Sequence, residues 1–234
     1  MLVRGFPAQA FDTNCYVVAP GQGEQCVVVD PGIGVQQQLD DVLREHRLQP
    51  VAVLLTHGHL DHTFSVTPVC GARGIPAFIH PNDRDQLRDP AKYLSPQAGA
   101  IFGGRLEWTE PADVRLLDPA VPLELAGLRI SVDLAPGHTA GSVVFRLPGD
   151  GEDSEAAAPL LLSGDVLFAG SVGRCDLPGG SWEAMQTSLR EVILPMADET
   201  VVLPGHGPST TIGRERAGNP YLQNLAAPPA SRGL

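Results

Sequence analysis

The chain has 234 residues and a formal net charge of −11. That charge disfavours a nucleic-acid partner, because phosphate binding relies on Lys and Arg, and no apolar run approaches the roughly 20 residues that cross a bilayer. The length suits one sizeable hydrophobic core. We therefore expect a single domain over residues 1–225, a frayed tail over 226–234, and no contact with membranes.

The N-terminal residues and the cysteines indicate the compartment. Met-Leu-Val-Arg-Gly-Phe lacks the pattern of a signal peptide. The 4 cysteines form no Cys-x-x-Cys pair, and scattered cysteines in a chain of this size are typical of reduced thiols. We expect a cytoplasmic protein.

The first 80 residues predict strands and helices. Residues 1–30 favour paired strands with a turn at Gly21-Gln22-Gly23. Residues 35–47 predict the first helix, because Val35, Leu39 and Leu43 share one face at helical spacing. His46 lies at its polar end and is expected to face solvent. Three further elements are predicted, a strand over 51–55, a helix over 63–74 and a strand over 75–79.

The sequence pattern after residue 80 predicts some elements clearly and others only weakly. Residues 81–127 lack strong periodicity, so we expect loops or short helices that shape a substrate site and lead to another strand. Strands are predicted over 128–134, 159–163 and 200–203. The acidic segment 149–158 is typical of a hairpin tip. A helix is predicted over 182–192, with Ser181 as its N-cap.

The most informative segment directly follows the apolar run Val51–Leu55 and reads Thr-His-Gly-His-Leu-Asp-His. It places four metal-binding side chains within six positions, namely His57, His59, Asp61 and His62. Imidazole together with carboxylate suits zinc, iron or manganese rather than calcium. The alternative is a polar turn that happens to contain three of the chain's 7 histidines.

Three other predicted strands also end in a possible ligand. They lead into Gly137-His138-Thr139, Gly164-Asp165 and Gly205-His206-Gly207. Strand ends that meet at one edge would build a site from distant segments, and the glycines allow tight turns there. His80 also follows a strand, but it lacks a comparable motif and is interpreted as a loop or core histidine.

Together these motifs resemble the metallo-β-lactamase superfamily, in order and over most of the chain. Asn14-Cys15-Tyr16 and Val29-Asp30-Pro31-Gly32 fit the same pattern. Within the superfamily, the segments after Gly164 and the C-terminal Gly213–Arg216 and Asn219–Leu222 resemble the glyoxalase II-like branch. The resemblance implies an α+β fold, a four-layer αββα sandwich with a dinuclear metal site between the sheet edges.

The resemblance also implies a role for each ligand. His57, His59 and His138 would hold the first metal; Asp61, His62 and His206 would hold the second. Asp165 would bridge both, and Asp61 would be the catalytic residue that orients the metal-bound water. The implied cofactors are two divalent transition-metal ions, zinc being favoured over iron or manganese. Such a pair, about 3.5–4 Å apart, would provide a hydroxide nucleophile.

The implied activity is hydrolysis of a thioester, an S-2-hydroxyacyl derivative of a small thiol. Arg174 lies just past Asp165 and would bind a carboxylate of the thiol carrier, unless it forms a structural salt bridge. Glyoxalase II itself has a basic C-terminal helical extension, and we expect weak selection among thiols without it. Cys175 stands where relatives often carry Thr. No oligomeric state is indicated.

Two alternatives remain open at this point. A related branch consists of persulfide dioxygenases, with a single iron bound by two His and one Asp; the presence of all seven ligands favours the hydrolase. The other alternative is a non-catalytic binding protein stabilised by metal. A structural zinc needs four closed ligands, which argues against that interpretation.

Overall fold

The structure is a computed structural model that describes residues 1–94, 106–149, 158–223 and 225. The predicted tail over 226–234, most of the acidic segment 149–158 and the centre of 81–127 lie outside these residues. The domain bounds therefore stay a prediction. Across the described residues, no helix combines the length and apolarity needed to cross a membrane.

The first sheet takes its strands from the N-terminal half of the chain. Their bounds are Leu2–Pro7 (β1), Asn14–Ala19 (β2), Gln25–Val29 (β3), Gln49–Leu54 (β4), Ala77–Ile79 (β5) and Val114–Leu116 (β6). The strands lie side by side in chain order. β1 to β3 pair antiparallel, whereas β3 to β6 run parallel. Parallel neighbours need long crossovers, and helices supply them.

The second sheet takes its strands from the C-terminal half. Their bounds are Leu123–Leu125 (β7), Leu128–Leu134 (β8), Val143–Leu147 (β9), Leu160–Gly164 (β10), Val201–Pro204 (β11) and Thr210–Thr211 (β12). This sheet is also in chain order. Its pairs are antiparallel except β10 with β11, which run parallel with a register shift between Leu162 and Gly164.

The helices lie between and after these strands. They are Gln36–His46 (α1), Leu60–Thr63 (α2), Val66–Arg73 (α3), Arg84–Arg88 (α4), Trp182–Ser188 (α5), Ile212–Gly218 (α6) and Pro220–Gln223 (α7). Short 3₁₀ turns span Pro81–Asp83 and Pro90–Tyr93, and a π-helical turn over Leu189–Ile193 extends α5. The Ser181 Oγ accepts a hydrogen bond from the Ala184 N–H, which confirms the predicted N-cap.

Three buried apolar clusters define four layers. One lies between the first sheet and its helices, and includes Val28, Leu39 and Val69. A second lies between the two sheets, with Leu54 and Phe145. The third packs the second sheet against α5, α6 and α7, and includes Met185, Ile212 and Leu222. Helix, sheet, sheet and helix therefore stack in that order, and the predicted αββα sandwich is confirmed.

The structure corrects the expectation for His46. Its side chain is buried at the end of α1, and its Nε2 accepts a hydrogen bond from the Arg4 Nε–H at 2.9 Å. The helical face that carries Leu39 and Leu43 is buried as predicted. The β1 strand covers the end of this helix, and that long-range contact is not visible in the local pattern.

Truncation of Phe145 tests the packing between the sheets. Phe145 is fully buried in the inter-sheet cluster, so we expect Phe145→Ala to lower the free energy of unfolding by about 3–5 kcal/mol. Leu116→Ala is the control, since Leu116 is 56% exposed, and should change it by less than about 0.5 kcal/mol. Urea denaturation at equal metal content measures both, and similar losses in the two variants would contradict the sandwich.

Candidate metal centre

The segment after β4 divides its four predicted ligands between two local structures. His57 and His59 lie in the extended chain before α2, where His59 has φ −64° and ψ 142°. Asp61 and His62 lie in the first turn of α2. Because the chain changes from extended to helical at Leu60, the two pairs of side chains leave the backbone in different directions.

The second sheet provides the other three predicted ligands. His138 follows β8, Asp165 directly follows β10, and His206 follows β11. At the register shift in β10, Gly164 adopts φ +47° and packs on Thr56, so that a Cβ there would lie 2.5 Å from the Thr56 Oγ1. Glycine is therefore required at the point where the two sheet edges meet before Asp165.

All seven predicted side chains converge at this edge. The first group is His57, His59 and His138, and the second is Asp61, His62 and His206; within each group the ligand atoms lie within 4.8 Å of one another. Asp165 lies between the groups. Its Oδ2 is 3.5 Å from the His138 Nε2 and 3.6 Å from the His206 Nε2, and its Oδ1 is 3.3 Å from the His62 Nε2. This is the arrangement expected for a bridging carboxylate.

Backbone carbonyls orient two of the histidines. The His138 Nδ1–H donates to the Arg174 carbonyl oxygen at 2.7 Å, and the His206 Nδ1–H donates to that of Phe11 at 3.0 Å. A carbonyl oxygen only accepts, so the proton of each ring lies on Nδ1. The lone pair on Nε2 then faces the other side chains of the centre.

Asp30 orients two more of the five clustered histidines, His62 directly and His57 through Thr56. The His62 Nδ1–H donates to the Asp30 Oδ2 at 2.9 Å, and the Thr56 hydroxyl donates to the same oxygen at 2.6 Å. The Thr56 Oγ1 therefore accepts from the His57 Nδ1–H at 3.0 Å. As a result His57 and His62 also present Nε2 to the centre, which is the tautomer that a metal ligand needs.

These residues fit a transition-metal pair. In the part of the chain that the structure describes, the buried His57 Nε2 has no hydrogen-bonding partner. The His59 Nδ1–H donates to the His138 Nε2 at 2.7 Å, a contact that an ion bound by both rings would replace. Buried polar atoms are nearly always paired, and imidazole nitrogens with carboxylates suit zinc, iron or manganese. We infer that divalent ions satisfy these atoms.

The pKa values of the clustered histidines follow from burial and from the charges of neighbouring histidines and carboxylates. Burial, with the neighbouring histidines, lowers the pKa of His57 well below its usual value, and burial with His138 lowers the pKa of His59 to about 3. Burial also lowers the pKa of His62, but Asp165 and Asp61 outweigh it and raise that pKa well above normal. The neutral His57 and His59 rings suit a cation directly, and at His62 a cation would replace a proton.

The sequence motifs did not reveal every residue that supports the centre. The Thr13 hydroxyl donates to the Asp61 Oδ2 at 3.1 Å, and the Phe11 carbonyl holds His206. Phe11 and Asp12 both have positive φ, 64° and 52°, a costly conformation for such residues. A lone Thr and a backbone carbonyl carry no sequence signal, whereas Asp30 was already visible at the end of a strand.

A cavity of about 230 Å³ opens beside His59 and Asp61. Its apolar lining includes Phe11, Ile33, Leu60, Tyr93 and Leu177. Among the described residues that line it, Arg174 is the one Lys or Arg, so the structure places Arg174 beside the centre. Its guanidinium forms two hydrogen bonds with the Asp176 carboxylate, at 2.7 and 2.8 Å, and both side chains are largely exposed.

Comparison with known proteins adds independent findings. A family model described as the metallo-β-lactamase superfamily matches residues 8–206. An uncharacterised protein of Mycobacterium tuberculosis is 44% identical over 97% of this chain and 100% of its own. The probable metallo-hydrolase YqgX of Bacillus subtilis is 33% identical, over 95% and 98%. The hydroxyacylglutathione hydrolase GloC of Haemophilus influenzae is 29% identical, over 96% and 99%.

Solved structures also resemble this chain over nearly its whole length. The B3 metallo-β-lactamase BLEG-1 has a TM-score of 0.82 and 36% identity, covering 95% of this chain and 100% of that one. TTHA1623, solved in a di-iron-bound form, has a TM-score of 0.73 and 35% identity, covering 94% and 100%.

Metal content tests the centre directly. We expect protein prepared without chelator to hold about two divalent transition-metal ions per chain, as a two-metal site requires. His59→Ala and His206→Ala should each lower that content, whereas His46→Ala and His80→Ala, which change histidines outside the cluster, should leave it unchanged. Elemental analysis of purified protein measures all five proteins. One ion per chain at full activity would contradict the dinuclear arrangement.

Proposed function

This chain belongs to the metallo-β-lactamase superfamily, and we propose that it is a glyoxalase II-like hydrolase of thioesters formed by a small thiol. The coarser conclusion is that the chain is a metallohydrolase, which rests on the family and on the clustered ligands. The thioester is a further step. The observation that carries it is the match to a hydroxyacylglutathione hydrolase over 96% of this chain and 99% of that protein.

The side chains of the centre suit this reaction. When bound, a pair of divalent ions supplies a water molecule of lowered pKa and polarises the substrate carbonyl. Asp61 is the residue of this chain that would orient this water. Burial raises its pKa, but His62 and His206 outweigh burial and lower it, so the carboxylate is ionised. The Thr13 hydroxyl fixes its Oδ2, which orients the attacking water.

The cavity beside the centre suits the rest of the substrate. A substrate seated against its apolar lining would displace water from beside His59 and Asp61, which would strengthen electrostatic interactions with the reacting carbonyl. Leu60, Tyr93 and Leu177 offer apolar contacts to a small acyl group and to the carbon chain of a thiol. Arg174 lies at the same cavity and provides one positive charge for a carboxylate of the thiol carrier.

A β-lactam is the second candidate substrate. The specific observation is the likeness to BLEG-1, which is named as a B3 metallo-β-lactamase and is 36% identical. The same centre would attack an amide carbonyl in place of a thioester carbonyl. The two candidates differ in the leaving group, a thiolate or a tethered amine, and so they are separated by substrate.

A substrate panel tests the proposal. The metal-loaded protein is assayed with S-lactoyl thioesters of several small thiols, with a chromogenic β-lactam, and with a persulfide while oxygen uptake is recorded. We expect thioester hydrolysis to exceed the other activities. Asp165→Asn should lower it by at least about 100-fold, since an altered ligand misplaces the nucleophile.

The substrate panel has a matched control variant, and each contrary outcome points to a different function. Asp133→Asn makes the same change at a surface carboxylate that pairs with Arg146, and it should retain wild-type turnover. Preferred β-lactam hydrolysis would replace the thioester with the second candidate. Oxygen uptake with one iron per chain would indicate a persulfide dioxygenase, and a metal-loaded protein without any of these activities would indicate a binding protein.

The pair of Arg174 and Asp176 gives a separate prediction about the substrate. We expect Arg174→Ala to raise KM severalfold for a thioester whose thiol carries a carboxylate, because an exposed ion pair contributes modestly. An uncharged thioester should be unaffected, and kcat should stay near wild type, as for loss of uniform binding. Asp176→Asn frees the guanidinium and should lower KM for the charged substrate. Equal effects on both substrates would assign Arg174 to loop structure alone.

A further inference from the structure

Asp83 is a fully buried acidic residue that lies outside the seven-residue cluster. It is the last residue of the 3₁₀ turn over Pro81–Asp83, directly before α4. Its carboxylate lies between two loops of the centre. One carries His57 and His59, and the other follows His138.

Both oxygens of Asp83 accept hydrogen bonds from these loops. The Oδ2 accepts from the Gly58 N–H at 2.8 Å and from the Thr139 hydroxyl at 2.6 Å. The Oδ1 accepts from the Gly141 N–H at 2.7 Å. Gly58 separates the two histidines of the first loop, and Thr139 directly follows His138. One carboxylate therefore joins the backbone segments that carry all three members of the first ligand group.

The sequence around Asp83 is built for this close approach. A Cβ on Gly141 would lie 2.5 Å from the Asp83 Oδ1, and a Cβ on Gly58 would lie 2.6 Å from the Gln86 Cβ. Neither glycine has a positive φ, so the requirement is space rather than backbone conformation. Burial raises the pKa of Asp83 above its usual value, and the hydrogen bonds from Thr139, Gly58 and Gly141 limit that rise.

We propose that Asp83 is a positioning residue, which sets the spacing of His57, His59 and His138 and thereby the metal affinity of the first ligand group. It contacts no member of the cluster and acts through backbone N–H groups and Thr139. The inference rests on the metal centre proposed above and is independent of the thioester substrate. It distinguishes the two groups, because Thr13 and the Phe11 carbonyl hold members of the second group alone, whereas Asp30 supports one histidine of each.

The decisive variant is Asp83→Asn, which preserves volume. An amide has one oxygen and one NH₂ group, so one of the two sides must lose its acceptor and face a donor. We expect the zinc held by His57, His59 and His138 to lose affinity by about 10- to 100-fold, the usual effect of removing a group that orients ligands. Competition with a chromogenic chelator, with zinc as the only added metal, measures the affinity.

Glu215→Gln is the matched control. Glu215 is also buried, and its carboxylate likewise accepts from backbone, hydroxyl and amide donors, namely the Gly170 N–H, the Thr210 hydroxyl and the Asn219 amide. None of these donors carries a predicted ligand. We expect this variant to lower Tm as Asp83→Asn does, while zinc affinity and the visible spectrum of the cobalt-substituted protein stay as in wild type.

A second variant changes Gly141, which donates to the Asp83 carboxylate. Gly141→Ala keeps the carboxylate but displaces it, and should lower zinc affinity in the same direction and alter the cobalt spectrum. Gly71→Ala is its control, because a Cβ on Gly71 in α3 meets nothing within 4 Å among the described residues. If Asp83→Asn does not fold, Gly141→Ala carries the test alone.

Two results would overturn the inference, and each is distinct from failure of the proposed function. Wild-type zinc affinity in both Asp83→Asn and Gly141→Ala, together with a lowered Tm, would reduce Asp83 to a purely structural residue. The same would follow if Glu215→Gln lost as much affinity. A wild-type protein that binds no zinc would refute the centre itself, and a protein that binds zinc without cleaving thioesters would refute only the proposed substrate.

Discussion

Hydrogen bonds at Nδ1 hold four of the clustered histidines, and the chemistry of the centre depends on them. His57, His62, His138 and His206 each donate the Nδ1 proton to an oxygen atom, so each ring turns Nε2 towards the centre. Without its acceptor, a ring could rotate and could carry its proton on either nitrogen. The acceptors belong to both sheets, so only the assembled sandwich orients the complete ligand set.

Buried carboxylates are the second requirement of the site. Asp30, Asp83 and Asp165 are all buried at this edge of the sandwich, and an isolated buried charge is costly. Asp30 and Asp83 are compensated by N–H and hydroxyl donors from the chain. Asp165 is surrounded by imidazole nitrogens instead, and its charge is best compensated by a cation. The arrangement thus separates carboxylates that organise loops from one that faces the metals.

The elements and site residues that could be predicted are those marked by a short stretch of sequence. Apolar runs of strand length predicted β4, β8, β10 and β11, and short motifs at their ends predicted the seven converging side chains. The supporting contacts have no such signal, because they join distant segments: Thr13 with Asp61, Asp83 with Gly141, and Arg4 with His46. Arg174 was predicted to bind a substrate carboxylate or to form a structural salt bridge, but that its partner is Asp176 depends on side-chain geometry that spacing does not reveal.

The contact between the N-terminal turn and His206 has a consequence for biosynthesis. The Phe11 carbonyl and the His206 ring are separated by 195 positions, and the Tyr16 hydroxyl bonds the Pro204 carbonyl across 188. A ribosome releases the chain from its N-terminus, so β1 and β2 emerge long before β11. Such non-local pairings form late and slowly. The nascent chain can therefore assemble the first sheet early, but it cannot complete the second ligand group until β11 and His206 have left the exit tunnel.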